Sequence, residues 1–419
     1  MTSNPLIDGE RSQAPRRAIG LMFDPVFGGM FWGKLLSAAG VWIHSIVAAI
    51  VVFDSTGSAF IVGLVSVVQF TPQLVLSPIS GTWADRGHAE RQILLGRILC
   101  MLGSGSLATW MMFSPDTEGN ALVLAVLSAS LLVGLGFVVG GPAMQSIIPD
   151  LIRPGELSTA MVLNTAPMTI ARIAGPALGA LVAVHMGAAS AFGIAAAAHL
   201  LFVVVIVIVK IPKPRPKMPG RDYSVRFALA HIRNDRALLL LLIAVAGVGF
   251  GSEPSMTLAP ATAQELGGGT RLVGELSTAF GVGAGIGFLC MTIFVRRVAS
   301  AVASTLGLWC MIVGLGGAAV SPNTWSALGA FALAGFGFST AMAGLGALVQ
   351  ERAPVELRGR IMAFWMMGFV GSRPLSAALV GSIADASSVR IAFSATAALL
   401  AVIGILCRPR RIGARISAG

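Results

Sequence analysis

The chain has 419 residues, of which 55% are hydrophobic and 11% charged, and its mean hydropathy is +0.84. An ordinary soluble domain carries about 25% charged residues, so water does not solvate this sequence, whereas a bilayer does. The net charge of +11 does not point to nucleic acid: the basic residues fall in short gaps between apolar runs, and no gap is large enough to fold as a nucleic-acid-binding domain.

The first two dozen residues are polar and carry Arg11, Arg16 and Arg17. The apolar run behind them is too long for a signal peptide and has no small-residue cleavage site, so it is expected to persist as a first helix. Counting it, the chain holds twelve apolar stretches, each near the roughly 20 residues needed to cross hydrocarbon. They cover about 28–53, 58–82, 92–113, 121–147, 157–184 and 190–210 in the first half, with ends uncertain by about two to four residues. The second half repeats the pattern at about 237–262, 272–295, 299–320, 324–349, 359–383 and 390–407. Runs this long exclude barrel strands, leaving helices as the way to satisfy the backbone in lipid. The expected class is therefore an all-α membrane protein with two six-helix bundles, at residues 28–210 and 237–407. A 1–27 tail precedes them, a basic 211–236 linker joins them and a 408–419 tail follows.

Of the 29 Lys and Arg residues, Lys34, Arg172 and Arg373 fall within helices, and Arg271 and Arg390 on one set of gaps. The other 24 lie in the tails, the opposite set of gaps or the helix ends that border them, which puts both termini in the cytoplasm by the positive-inside rule. The outer gaps instead carry Asp54, Asp116, Glu118, Glu265 and Asp385. The linker, with Lys213, Arg215, Lys217, Arg221, Arg226, Arg233 and Arg236, would lie against anionic headgroups or simply fix topology. A weak internal repeat supports the division: Glu156-Leu157 and Glu356-Leu357 stand 200 residues apart, each before a helix with a mid-span arginine followed closely by proline.

Ionisable groups in the spans cost roughly 2.5–3.5 kcal/mol each on insertion scales, so each is a candidate site. Arg172 shares a helix face with Asn164, Met168, Gly175 and Gly179, and Arg373 stands at the matching place in helix 11. Either arginine lines a cavity or bonds backbone carbonyls of a broken helix. Glu253, beside Pro254, is the carboxylate well inside a helix; it is a proton carrier or an inert group near the outer interface. His44 is a proton relay or a packed histidine. Gln69, Gln73 and Gln145 are cavity contacts or interhelical bonds. The glycines at 281, 283, 285 and 287 lack nucleotide-loop spacing and read as helix packing. Cys100, Cys290, Cys310 and Cys407 have no metal-ligand spacing and read as buried hydrophobes. No Walker, HExxH or GxSxG sequence supports an enzyme, and no cofactor or metal is expected.

The gap after helix 2 reads Gly81-Thr-Trp-Ala-Asp85-Arg86-Gly87-His-Ala-Glu-Arg91, and helix 5 contains Arg172-Ile-Ala-Gly175-Pro176-Ala-Leu-Gly179. With Pro354-Val-Glu-Leu-Arg358-Gly359-Arg360, Ser37-Ala-Ala-Gly40-Val-Trp42 and Gly141-Pro142-Ala143, this resembles the major facilitator superfamily, in its bacterial drug:proton antiporter branch. The branch includes siderophore exporters and multidrug and tetracycline pumps. The resemblance, over about 28–407, implies a monomer in the bacterial inner membrane that works by alternating access. Asp85 would place its charge at the N-terminus of helix 11, and Arg86 and Arg91 would pair with acids such as Asp150. Gly175-Pro176 and Gly179 would keep the closed bundle tight. The acid that relatives often carry after the glycine equivalent to Gly40 is Val41 here, which shifts the proton to Glu253 or His44. The expected function is proton-driven export of small amphipathic drugs such as tetracyclines. Export of a siderophore or movement of a lysophospholipid is the alternative, and a non-transporting receptor or scaffold a distant one. The expected partners are lipid, protons and the small substrate, without nucleic acid.

Overall fold

The computed structural model describes residues 15–85, 89–114, 119–153, 155–209, 225–294, 299–354 and 357–407, and every regular element among them is helical. The first six spans are α1 (Phe27–Thr56), α2 (Ala59–Asp85), α3 (Ala89–Phe113), α4 (Asn120–Ser146), α5 (Leu157–Met186) and α6 (Ala188–Val209). The last five are α8 (Gly269–Phe294), α9 (Ser300–Ala319), α10 (Thr324–Arg352), α11 (Arg358–Ala386) and α12 (Val389–Leu406). Between them, α7 comes in three pieces, Arg236–Ser252, Pro254–Thr257 and Ala259–Glu265. Eleven described helices are long and apolar enough to cross a membrane; α11, which carries Arg358, Arg360, Arg373 and Asp385, completes a set of twelve in two six-helix bundles.

The pieces of α7 correct the expectation of one helix over 237–262. Pro254 has no N–H to give Phe250, four residues back. The Phe250 carbonyl instead accepts from Ser376 Oγ of α11 at 2.7 Å and from the Glu253 N–H at 3.3 Å. Within the linker, the stretch read as a gap contains a ten-residue helix, Val225–Asn234, whose Ala228 and Ile232 are buried. Asp235 then caps α7, accepting from the N–H groups of Ala237 and Leu238 at 3.0 and 3.1 Å, and pairs with Arg352 of α10 at 2.7 Å. Residues 210–224 lie outside the described part.

Inside each bundle, seams of small residues bring backbones together. In the first, Gly96 and Gly103 of α3 face Gly136 and Ala129 of α4; in the second, Gly307 and Gly314 of α9 face Gly337, Ala334 and Ala330 of α10. A Cβ on Gly96 would stand 2.6 Å from the Gly136 carbonyl oxygen, and one on Gly337 would stand 2.5 Å from that of Gly307. The seven-residue spacing of Gly96/Gly103 and Gly307/Gly314 keeps one face of each helix on its neighbour. Gly283 and Gly287 face α10 in the same way.

The bundles meet through α2 with α11 and α5 with α8. Their closest approaches lie toward the acidic gaps: Gly381 on Ala59 and Gly63 on Ala377 in one pair, Gly274 on Ala180 and Gly281 on Ile173 in the other. Toward the basic gaps the same helices expose Val75, Ile79, Met161, Met366 and Met367.

Candidate functional site

The break in α7 sets Glu253 against a cavity lined by both bundles, and α11 presents Arg373 to it. The pair is 2.8 Å from Nε to the carboxylate, and its members are 0% and 6% exposed. Thr257 Oγ1, one turn on, also faces the carboxylate, at 3.4 Å. A charge pair this dry is held by geometry and by the cost of leaving either member alone. The Arg373 guanidinium lies 4.2 Å from the Phe70 ring centre and 6.0 Å from that of Trp42.

Arg172 of α5 comes to the same place from the other bundle. Its guanidinium sits 4.1 Å from the Phe338 ring, 5.3 Å from Trp42 and 5.7 Å from Phe280. Three aromatic faces hold the cation by their quadrupoles, and no described residue accepts a hydrogen bond from it. Trp42 of α1, which touches both arginines, also has an Nε1 that is buried without an acceptor. Two guanidiniums and one carboxylate are thus gathered around Trp42. Beside it is a small cavity lined by Trp42, Ser45, Gln69, Phe70, Glu253 and Arg373 among others, with room for about one water.

Gly175 and Gly179 hold α5 against α1: a Cβ on Gly175 would stand 2.6 Å from Trp42 Cβ, and one on Gly179 2.7 Å from Ile46 Cγ2. Pro176 lies inside this helix without ending it. The motif residues therefore fix the distance from Arg172 to the Trp42 ring.

The other sequence candidates separate into distinct groups. Gln69 is buried and exchanges hydrogen bonds with Ser45. Gln73 is half-buried on α2. Asn164 and Gln145 bond each other, and Lys34 Nζ donates to the Asn164 side chain at 2.7 Å and its carbonyl at 2.8 Å. Lys34 and Asn164 line a second small cavity, toward the basic end. His44 stands apart, within the first bundle, between Ser104 Oγ at 3.1 Å and Ser130 Oγ at 3.2 Å. Gly81 has open space around it, Arg91 and Arg358 are exposed, Asp150 and Arg360 are partnered, and Gly359 belongs to the first turn of α11. Arg86 and the side chain of Asp85 lie outside the described part.

Two residues escaped the sequence reading, and a third was noticed without its role. Arg97, counted with the basic flank, is 2% exposed inside the first bundle, where its guanidinium donates to Ser37 Oγ and to the Gly136 carbonyl at 3.3 Å. His199 of α6 meets the same serine at 2.9 Å. Glu156, at the start of α5, accepts from the Arg16 N–H at 2.7 Å, from its Nε and Nη2 at 2.9 and 2.8 Å, and from the Arg153 N–H at 2.8 Å. The Arg16 guanidinium holds its carboxyl down at about 2, below the ordinary carboxylate range. Glu156 had surfaced in the repeat, but its partner in the tail had no sequence signal.

Comparison with known proteins settles the family. The family model described as transmembrane secretion effector matches residues 19–415. The chain belongs to this family, within the major facilitator superfamily. The enterobactin exporter EntS of Salmonella typhimurium is 24% identical over 392 residues, 91% of each chain. Macrolide efflux protein A of Streptococcus pyogenes is 24% identical over 367 residues, 84% of this chain and 88% of that one. Among solved structures, a bacterial homologue of the human lysosomal transporter Spinster, inward-facing and unoccupied, superposes with a TM-score of 0.74 at 14% identity, covering 91% of this chain and 95% of that one. A bacterial homologue of the iron transporter ferroportin, inward-facing, gives 0.71 at 15% identity, covering 91% and 98%. As a secretion-effector family member the chain is a multi-span membrane transporter.

Proposed function

We propose that the chain is a proton-driven exporter that moves small amphipathic compounds, antibiotics among them, out of a bacterial cell. The observation that carries this reading is the Glu253–Arg373 pair, buried at the break of α7 with Arg172 of the other bundle alongside. A carboxylate that trades between a proton and an arginine changes the charge of the centre by one, which is what a coupling group must do. The two matched exporters support the direction of transport. The Lys and Arg asymmetry supports an inner-membrane orientation with cytoplasmic termini; the closed acidic end then faces outward and the access route faces the cytoplasm. The protein works as a monomer, because the two bundles of one chain supply every side of the centre. Expression in a pump-deficient host raises tolerance and dye efflux in an uncoupler-sensitive manner, and Glu253→Gln abolishes pH-gradient-driven transport in inverted vesicles. Background behaviour of the wild type in both assays removes the reading.

Arg172 favours a second reading, an anionic cargo such as a siderophore or other acidic metabolite, because it offers donors without an acceptor. The two readings differ in the sign of proton linkage. A neutral or cationic compound that competes for Glu253 releases a proton on binding. An anion on Arg172 instead favours protonated Glu253, so its binding takes a proton up, and anion and proton then leave together down the anion's own gradient rather than in exchange. Binding in weakly buffered solution with a pH indicator separates them, and Arg172→Ala loses anions selectively only under the second.

A further inference from the structure

The transport cycle needs a device that holds one end shut, and the acidic end has one. Asp385, in the last turn of α11, reaches across to the first turn of α2 in the other bundle. Its carboxylate accepts from the N–H of Ala59 at 2.8 Å, from that of Phe60 at 3.1 Å and from Ser58 Oγ. Ser58 Oγ in turn accepts from the Ile61 N–H at 3.2 Å. The opening amides of a helix have no partners within it, and the helix dipole favours an anion there. For α2 the partners of the Ala59 and Phe60 amides come from the opposite bundle. One turn earlier on α11, Gly381 lets the helices close, since a Cβ there would stand 2.6 Å from the Ala59 carbonyl oxygen.

We propose that Asp385 is the latch of the acidic-end gate: it caps α2 while that end is closed and must release it for the end to open. It is the counterpart, on the same antiparallel helix pair, of the role that the resemblance gives Asp85 at the N-terminus of α11. Each helix then carries, at its C-terminal end, a carboxylate for the other's N-terminus. Rocking of the bundles passes the seal from one end to the other. The 200-residue repeat puts His185 of α5 where α11 has Asp385, so the second inter-bundle contact has no carboxylate at that place.

The latch rests on alternating access, yet its test needs no substrate. Val62 is 1% exposed, one turn into α2 from the latch. In purified protein carrying Val62→Cys, labelling of that residue by a maleimide is followed by peptide mass spectrometry, with buried Cys100 as the internal control. Asp385→Ala is expected to raise the Val62→Cys labelling rate about tenfold, the worth of a lost capping group. Ser58→Ala raises it less, Asp385→Glu restores slow labelling, and Cys100 stays unreactive throughout. Unchanged labelling in Asp385→Ala overturns the latch, as does a rise that Cys100 shares, which signals general loosening. Faster gate labelling in a protein that exports nothing leaves the latch standing and removes the exporter reading.

Discussion

The interiors of the two bundles solve the same problem in opposite ways. The first buries Arg97, His199 and His44 among hydroxyls and a backbone carbonyl, with no carboxylate on any of these groups in the described structure. The second buries one carboxylate against one guanidinium, where a proline has opened the helix. Neutral partners tolerate either protonation state of a neighbour, so the first interior is a fixed dielectric wall. A carboxylate–guanidinium pair does not, and the loss of one charge leaves the other stranded. The difference assigns the responsive chemistry to the second bundle and the scaffold to the first.

The largest expected effect tests that contrast directly. Glu253→Ala strands Arg373 and lowers stability by about 3–5 kcal/mol, read as the thermal midpoint in detergent, whereas Arg97→Met stays within about 1 kcal/mol of wild type. Equal losses break the comparison. The seams, by contrast, are expected to behave alike: Gly337→Ala and Gly136→Ala each press a methyl on backbone and cost about 1–3 kcal/mol. A marked difference between them would show that the bundles differ in packing as well as in polarity.

Glu156 sharpens the contrast at the edge of the first bundle. Glu156→Gln removes charge-assisted bonds from Arg16 and costs about 1–3 kcal/mol. Because the folded carboxyl is held at about 2 by Arg16, this stabilisation is complete above the ordinary carboxylate value of about 4.3. It is lost as pH falls from there toward the folded value, and a pH series of thermal midpoints in which Glu156→Gln flattens this acid limb checks the sign. The smallest effect belongs to His44. His44→Gln costs about 1 kcal/mol from its serine partners and leaves the pH dependence of transport unchanged; a displaced pH profile would return His44 to the proton route.

The helical spans were legible because each is a long apolar run with a polar boundary, and the ends of α1 and α12 fall close to the expected positions. The break in α7 was half legible: Pro254 announced it, but the Ser376 hydroxyl that donates to the freed Phe250 carbonyl lies 126 residues from that carbonyl in the chain. Glu253, Arg172 and Arg373 each drew attention singly as charges in lipid. That they meet around Trp42 depends on which helix faces which, and that information is spread over glycines at contacts far apart in the chain. Arg97 was missed because a basic residue a few positions into a helix reads as a flank. His199 was missed because it sits in an unbroken apolar run, with its partner Ser37 on another helix.

The backbone-to-backbone seams of α3 with α4 and α9 with α10 contain few side chains that could change rotamer. Such joints cannot soften by repacking, so each half behaves as a stiff block. A passenger molecule therefore finds no give in the walls and must fit whatever space opens between the blocks. Turnover speed then depends on how readily the blocks tilt, and substitutions that plug the crevice between them should slow many unrelated passengers alike.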